Sequence, residues 1–366
     1  MRILVDTSYA LRGASGTAVY VEQLLAALAE QDVDVVALGD EHRPPPAGGG
    51  LGSVRNLAHD QRWLHLRLPA LAARHRVDVV HHPLPAFSPR IAGRGPGAPA
   101  GIAQVTTVHD LAFELLPECF DPRFARWASV THRRAALRAD AVIAVSQTTA
   151  LDVRERWQVP ADRVVVAPHG PGQWHAREIR SGATERGPSV PLTRPYLLYV
   201  GDDEPRKDLP TLRAAHRTLT ARLGDAAPDL VLAGRIAGAP AGGERIAVAP
   251  ERDQLLALMD GALALVHPAL HEGVGLTPLE AMARGVPVVA ARAPGVTETC
   301  EDAAAYFPPR DPDGLADAVE RIVAEPRLRE RLAQAGRRVA GARSWSAAAR
   351  AHVEAYRLAV RRRAGR

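Results

Sequence analysis

Glu272 and Glu280 flank a stretch with two glycines, Gly273-Val274-Gly275, followed by Leu276 and Thr277. An ionised carboxylate is acceptor-only and can take bonds from two neighbouring hydroxyls, so this pair suits a hydroxyl-rich ligand. The glycines let backbone N–H groups approach a ligand closely. A helix N-terminus just beyond them adds partial positive charge that favours phosphate. Thr277 reads as the helix N-cap, Pro278 as its first residue, and Gly285 with Pro287 as its stop. The spacing Thr277-Pro-Leu-Glu280 also fits a capping box, in which Glu280 bonds back to the cap instead of to a ligand.

A second group is Arg206-Lys207, in Val200-Gly201-Asp-Asp-Glu-Pro-Arg-Lys-Asp208. Cations fixed beside a phosphate leaving group stabilise the charge that grows on it as its bond breaks. An isolated Arg-Lys pair is more often a solvated turn. A third group is His109-Asp110, after the apolar run Val105–Val108; a lone His there is more often a structural hydrogen-bonder than a catalyst. A fourth is Gly16, in a glycine-containing turn that opens a helix, again an anion-friendly design.

These groups need strands that end beside them. Short β-branched runs occur at Ile3–Val5, Val33–Leu38, Val77–Val80, Val105–Val108, Ala141–Val145 and Val164–Ala167. They resume at Tyr196–Val200, Leu230–Ala233, Arg245–Val248, Ala262–Val266 and Val286–Ala290. Helical periodicity fills the gaps, as in Val19–Ala29, where Tyr20, Val21, Leu24, Leu25 and Leu28 share a face. Such alternation predicts α/β architecture with parallel sheets covered on both sides. With 366 residues the chain is expected to form two domains. The expected boundaries are 1–176, a Pro/Gly/Ser-rich linker at 177–194, 195–344, and a final helix, 345–366, crossing back to the first domain. Two doubly wound domains facing across a cleft would bind ligand beyond the carboxyl ends of their strands.

Glu272 and Glu280 match the E-x7-E motif of retaining glycosyltransferases with the GT-B fold, and the surrounding residues resemble family 4 (glycosyltransferase group 1) almost position by position. Val274 departs from that pattern, which usually has Phe. The resemblance implies that Glu272 contacts the donor sugar and Glu280 the ribose hydroxyls. It implies further that amides around Gly275 and Leu276 contact sugar or phosphate, and that Arg206 and Lys207 hold the diphosphate. His109 would lie by the donor sugar with Asp110 behind it, and Gly16 would let its loop approach donor phosphate and acceptor. Pro117-Glu118, Ala144-Val-Ser146, Pro168-His-Gly170 and Pro294-Gly-Val-Thr-Glu298 also fit. The His-Asp pair with Glu-Pro-Arg-Lys resembles bacterial mannosyl- and rhamnosyl-type transferases of polysaccharide assembly, with GDP-mannose the first donor. The implied co-substrate is a nucleotide diphosphate sugar, with no metal. The acceptor would be a saccharide, a lipid-linked or a small molecule.

Composition narrows the alternatives. Apolar residues make up 46% and charged residues 24%, as in soluble globular chains. No apolar run is long enough to span a bilayer. Cys119 and Cys300 lie far apart with no ligand spacing, so a reducing cytoplasm is expected. His81-His82 and His267-x-x-x-His271 lack acidic or cysteine partners at ligand spacing. The net charge of +5 is spread along the chain, with clusters at Arg361–Arg363 with Arg366 and in His59–Arg76 that would suit an anionic membrane face. A basic nucleic-acid binder would interleave aromatics with its cations; aromatics are only 4% and no recognition motif appears. A nucleotide-sugar epimerase on the same fold is the other competing reading.

Overall fold

The computed structural model describes residues 1–12, 15–42, 50–93, 101–172, 192, 194–238, 240, 242–248 and 250–365. Most of the expected linker, 177–194, lies outside the described residues. The chain divides into two compact units, one of Met1–Glu114, Pro122–Gly170 and Ser344–Arg366, the other of Leu115–Asp121 and Pro171–Arg343. The short segment Leu115–Asp121 thus departs from the expected boundaries and joins the second unit, where Glu118 pairs with Arg310 at 2.6 Å.

The first unit holds β1 (Arg2–Asp6), β2 (Asp34–Leu38), β3 (Val79–His82), β4 (Ala103–Val108), β5 (Ala141–Ala144) and β6 (Val164–Val166). They form one parallel sheet in the order β2-β1-β3-β4-β5-β6. Its helices are α1 (Gly16–Leu28), α2 (Gly50–Arg62), α3 (Leu68–Arg74), α4 (Ala112–Leu115), α5 (Pro122–Arg138) and α6 (Gln147–Arg156). The second unit holds β7 (Tyr196–Val200), β8 (Asp229–Ala233), β9 (Glu244–Ala247), β10 (Ala264–His267), β11 (Val288–Ala291) and β12 (Ala304–Phe307), parallel in the order β12-β11-β10-β7-β8-β9. Its helices are α7 (Leu209–Leu223), α8 (Arg252–Asp260), α9 (Leu276–Arg284), α10 (Pro294–Cys300), α11 (Pro312–Ala324) and α12 (Pro326–Gly341). The last helix, α13 (Trp345–Ala364), belongs to the first unit.

Strand alternation builds a core on each face of each sheet. In the first unit Ile3, Val5, Val79, Val105 and Ile143 pack against Tyr20 and Leu24 of α1 and Ala348, Ala355 and Tyr356 of α13. Leu4 and Val80 point the other way, onto Trp63 and Leu68. In the second unit Leu198, Leu265 and Val288 pack on Leu279 and Met282 of α9, while Leu197, Tyr199 and Val266 pack on Leu212 and Val319. Ser344 caps α13, accepting from the Ala347 amide at 3.1 Å. The helix lays a stripe of alanines against the sheet, which lets its backbone come close.

Each sheet reverses its winding once. The chain passes from β1 outward to β2 and returns on the other side as β3; it passes from β7 outward to β8 and β9 and returns as β10. Connections leaving adjacent strands toward opposite sides open a crevice beyond their carboxyl ends, where ligands of open α/β sheets bind. In the second unit that crevice lies beyond β7 and β10.

Candidate active site

The turn after β7 carries Arg206 and Lys207, and the loop after β10 carries Glu272. The Leu270 amide donates to the Arg206 carbonyl at 2.9 Å and joins the two segments. Lys207 Nζ is ion-paired with Glu272 Oε1, and an Arg206 amine reaches Glu272 Oε2 at 3.4 Å. The Arg206 Nε also meets Glu204 at 2.9 Å, and His267 Nε2 stands 3.5 Å from Glu272 Oε1. Burial by itself would raise the Glu272 carboxyl; Lys207, His267 and Arg206 overcome it and hold the group well below the ordinary carboxylate range. Glu272 is therefore a fixed anion with lone pairs left for hydroxyl donors. Lys207 keeps two N–H donors beyond the one given to Glu272. Burial pushes the His267 imidazole down against the pull of Glu272, which makes it a neutral neighbour.

The glycine loop is clamped from behind. Thr299 Oγ1 donates to the Val274 carbonyl, and a Cβ on Gly295 would collide with the carbonyl oxygen of Glu272. Thr299 does not stand out in the sequence, and Gly295 does so only within the Pro294–Glu298 resemblance, because both act on backbone far away in the chain. Gly275 has φ +76°, a left-handed conformation that favours glycine, and is itself the N-cap of α9. This corrects the expected cap. Leu276 is the first helical residue, Thr277 lies inside the first turn, and no side-chain cap bond forms. With Thr277 displaced from the N-cap, the capping-box role for Glu280 disappears. Glu280 is buried in α9. Pro278 is third in the helix, where its missing N–H is no loss.

Gly201 follows β7 with φ +154°, and a Cβ on Gly234 would collide with its carbonyl oxygen. The turn after Gly201 is braced by Asp202, which accepts from the Arg235 amide at 3.1 Å and from Arg235 Nε at 3.0 Å. The structure thus brings Arg206, Lys207 and Glu272 into contact and sets Gly273, Val274, Gly275 and Leu276 as the loop leading into α9.

His109 and Gly16 belong to the first unit. Gly16 is the first residue of α1, capped by Ser15, which accepts from the Ala18 amide at 3.2 Å. The space beside it is open, so nothing in the packing of this unit demands glycine there. His109 follows β4; its Nε2–H donates to the Pro83 carbonyl at 2.9 Å, which leaves Nδ1 as the lone-pair nitrogen. Thr149 donates to its carbonyl at 3.0 Å. Asp110 accepts from the Ala112 amide at 2.9 Å at the start of α4, a local turn-forming role. Burial pushes His109 down, opposed by the Pro83 bond and by Asp110.

The His109 and Tyr20 rings pack nearly perpendicular to one another, centroids 4.9 Å apart. Tyr20 lies in a chain of hydrogen bonds whose direction can be assigned throughout. His352 Nδ1–H donates to the Ala348 carbonyl at 2.7 Å, so Nε2 must accept from the Tyr20 hydroxyl, also 2.7 Å away. Tyr20 then accepts from Thr107 at 2.9 Å, Thr107 from His81 Nε2–H at 2.8 Å, and His81 Nδ1 from the Tyr356 hydroxyl at 2.9 Å. This neutral relay ties α1, β3, β4 and α13 together beneath His109. The sequence pointed to His81 only as a metal candidate; the structure commits both its nitrogens to Thr107 and Tyr356. His82 faces Gln104 at 3.2 Å. Among the described residues no cluster of His, Cys, Asp and Glu is placed to hold a metal ion.

Both units match known families. The model described as Glycosyltransferase Family 4 covers residues 14–170, and that described as Glycosyl transferases group 1 covers residues 183–339. The chain belongs to the GT-B glycosyltransferases of family 4 and group 1. It is 26% identical over 319 residues to O-antigen chain mannosyltransferase B of Escherichia coli, across 81% of this chain and 79% of that one. Among solved structures, sucrose-phosphate synthase (tll1590) from Thermosynechococcus elongatus superposes with a TM-score of 0.71 at 19% identity, over 98% of each chain. Anabaena Alr3699/HepE in complex with UDP-glucose superposes with a TM-score of 0.68 at 18% identity, over 97% of this chain and 98% of that one. Glycosyl transfer is therefore the activity that the site has to explain.

Proposed function

We propose that the protein transfers a hexose with retention of anomeric configuration, taking mannose from GDP-mannose as its first donor, to a saccharide, lipid-linked or small-molecule acceptor. The observation that carries this reading is the Arg206–Lys207–Glu272 cluster at the switch point of the second sheet, beside the glycine loop that opens α9. The two cations and the helix N-terminus meet the diphosphate. Glu272 accepts hydroxyls of the donor sugar, and Glu280 those of the ribose. The name of the E. coli relative supports mannose.

Glu272 is ionised and held by two cations, so it suits neither a general acid nor a nucleophile. Retention then follows from same-face attack. The bond from anomeric carbon to phosphate oxygen breaks, the acceptor oxygen bonds to that carbon, and the acceptor proton passes to the departing phosphate oxygen. Catalysis is mostly positioning and stabilisation of the leaving charge. His109, neutral with a free lone pair on Nδ1, accepts a hydroxyl of the sugar. No metal or other cofactor takes part.

Thermal shifts with GDP, UDP and dTDP test the donor, because a ligand that binds only the folded chain raises its stability by mass action. GDP should give the largest shift; a larger shift with UDP or dTDP would replace mannose from GDP-mannose as the donor. Anomeric NMR of the product tests retention, and a β-linked mannoside would overturn it. Labelled donor recovered as its epimer, with no glycoside formed, would favour the epimerase reading.

A further inference from the structure

In the second sheet β11 lies beside β10, so α10, which follows β11, lies beside the glycine loop that follows β10. At 100° per residue Gly295 and Thr299 fall about 40° apart on one face of α10. That face meets backbone instead of side chains. A Cβ on Gly295 would stand 1.8 Å from the Glu272 carbonyl oxygen, 2.8 Å from the Glu272 carbonyl carbon and 3.0 Å from the Gly273 oxygen. Thr299, fully buried, donates its hydroxyl to the Val274 carbonyl. Between them Val296 Cγ2 would lie 3.9 Å from a Cβ on Gly275. One short helix therefore touches the whole run from Glu272 to Gly275.

The helix is itself fixed. Val296 and Cys300 sit in the core with Leu279 and Ala303. Arg343 donates to the Glu298 carbonyl at 2.8 Å, and the Glu301 amide closes the helix on the Thr297 carbonyl at 3.0 Å. Against this surface the direction of two peptide planes can be read. The Glu272 oxygen lies nearer to the Gly295 position than its carbon does, so that C=O points at α10, as does the C=O of Val274. In a trans peptide the C=O and the following N–H point opposite ways. The amides of Gly273 and Gly275 therefore face away from α10. β7 flanks β10 on the side opposite β11, so they face the side that carries Arg206 and Lys207.

We propose that Thr299 and Gly295 are positioning residues for glycosyl transfer: they hold the carbonyls of Val274 and Glu272 back, so that the Gly273 and Gly275 amides and the Glu272 side chain face the donor. The inference rests on the reading of this loop and Glu272 as the donor site. Two glycines in three residues let a ligand approach the loop backbone, but they also leave that backbone conformationally free. A flip of the peptide between Val274 and Gly275 would turn an oxygen toward the diphosphate in place of an N–H, and repel it. The Thr299 hydroxyl opposes that flip. The bare Cα of Gly295 gives the Glu272 carbonyl room to point backwards. Donors whose aim is fixed before the reaction need no reorganisation as charge develops on the leaving group. Neither residue touches substrate; each acts through the loop.

Two substitutions at Thr299 separate positioning from mere support of the fold. Thr299→Val keeps the methyl and removes the hydroxyl, leaving the Val274 carbonyl unpaired. Thr299→Ser keeps the hydroxyl and leaves a methyl-sized gap in the core. Both should lower the melting temperature. Turnover is measured on the full chain at saturating GDP-mannose or, where thermal shifts select another base, the corresponding UDP- or dTDP-hexose. It should fall about tenfold or more in Thr299→Val and stay close to wild type in Thr299→Ser. Activity would then follow the hydroxyl while stability follows both groups. Gly295→Ala puts a better helix former into α10 yet has to displace the Glu272 backbone, so turnover should fall about 10²-fold with the far-UV circular dichroism of wild type. Wild-type turnover in Thr299→Val or in Gly295→Ala would overturn the proposal, as would a loss in Thr299→Ser as large as that in Thr299→Val. Glu272→Gln tells this failure from that of the donor site: impaired turnover there with wild-type Thr299→Val removes only the clamp, whereas wild-type turnover in Glu272→Gln removes the site reading itself.

Discussion

At the carboxyl ends of β7 and β10 the second unit gathers Glu204, Arg206, Lys207 and Glu272, all charged and paired with one another. At the ends of β3 and β4 the first unit gathers His81, Thr107 and then His109, backed by Tyr20, His352 and Tyr356, and holds them neutral. One sheet architecture therefore supports two kinds of preorganisation. In the second unit, opposed charges fix each other, where the proposed function puts the phosphate. In the first, a directed chain of neutral hydrogen bonds fixes a ring in a buried setting where a net charge would be expensive. The two should respond differently to acid, to loss of charge and to loss of a single bond.

Acid should separate them most. Among the described residues His65, His81, His82, His109, His132, His169 and His352 of the first unit are pushed down, chiefly by burial, as is His267 of the second. Above the ordinary imidazole value of 6.5 both folded and unfolded chains are neutral at these rings, so no stability is lost. Between 6.5 and about 4, the value to which His132 and His352 fall, the unfolded chain binds protons that the folded one refuses. Stability therefore drops with pH across that window, by about 3 kcal/mol for each of these two rings. Glu272 works in the other window: its lowered carboxyl contributes stability above 4.5 that is lost only as pH falls further. Four of the five tryptophans, Trp63, Trp127, Trp157 and Trp345, lie in the first unit, and the fifth, Trp174, lies outside the described residues, so the test is run in a Trp174→Phe background. Acid titration should thus change tryptophan fluorescence before far-UV circular dichroism is lost, and His352→Gln should shallow the fluorescence transition. Coincident transitions with no effect of His352→Gln would show that the histidines do not set acid stability.

Next in size is the effect of charge in the Arg206–Lys207–Glu272 cluster. Glu272→Gln keeps the shape but releases Arg206 and Lys207 from their shared anion and removes a hydroxyl acceptor. Turnover should fall roughly 10²–10³-fold, the scale of losing one preorganised polar partner, and the melting temperature should fall as well, because the ionised carboxyl contributes stability at neutral pH. Wild-type turnover in a folded variant would remove Glu272 from the mechanism. Lys207→Ala should cost about 1.5–3 kcal/mol in binding nucleoside diphosphate, as for a charge-assisted bond, and little in binding the nucleoside. Equal loss for both ligands in calorimetry would make Lys207 a structural residue.

The second unit was the more legible of the two in sequence, for a physical reason. Arg206, Lys207, Glu272 and the glycine loop lie in loops after strands that the period marks, and it was the family resemblance, not spacing alone, that singled them out. The β-branched runs marked the strands because residues buried on both faces of a parallel sheet must be apolar throughout. Local rules failed where two of them competed: Thr277 has the chemistry of an N-cap, yet Gly275 can take the left-handed conformation and ends up capping α9. The resemblance marked Gly295 within Pro294–Glu298, but the clamp that it forms with Thr299 was illegible because both residues act on backbone in another segment. In the first unit the relay joins Tyr20, His81, Thr107, His352 and Tyr356, with bonded partners up to 332 positions apart, and no local pattern pairs them. The segment Leu115–Asp121 reads as part of the first half of the chain, and only long-range contacts such as Glu118–Arg310 assign it to the second unit.

The smallest effect should come from the far end of that relay. Tyr356 donates to His81 Nδ1 and receives no bond from the other members, so Tyr356→Phe keeps the ring in the core and removes one hydrogen bond. The loss leaves a buried acceptor without its partner, at a cost of about 1–3 kcal/mol if nothing rearranges. His81 has an escape through its other tautomer only by reversing every bond downstream, and the reversal stops at His352 Nδ1, whose proton is already committed to the Ala348 carbonyl. The variant should therefore pay the cost instead of rearranging. Denaturant unfolding should show a loss near the lower end of that range, carried by the tryptophan signal of the first unit. Binding of nucleoside diphosphate, which the proposed function assigns to the charged cluster of the second unit, should stay at the wild-type value. An unchanged midpoint would mean that the relay is not directed as its geometry indicates. A matching loss of diphosphate binding would mean that the two sites are not independent, and the contrast drawn between them would fail.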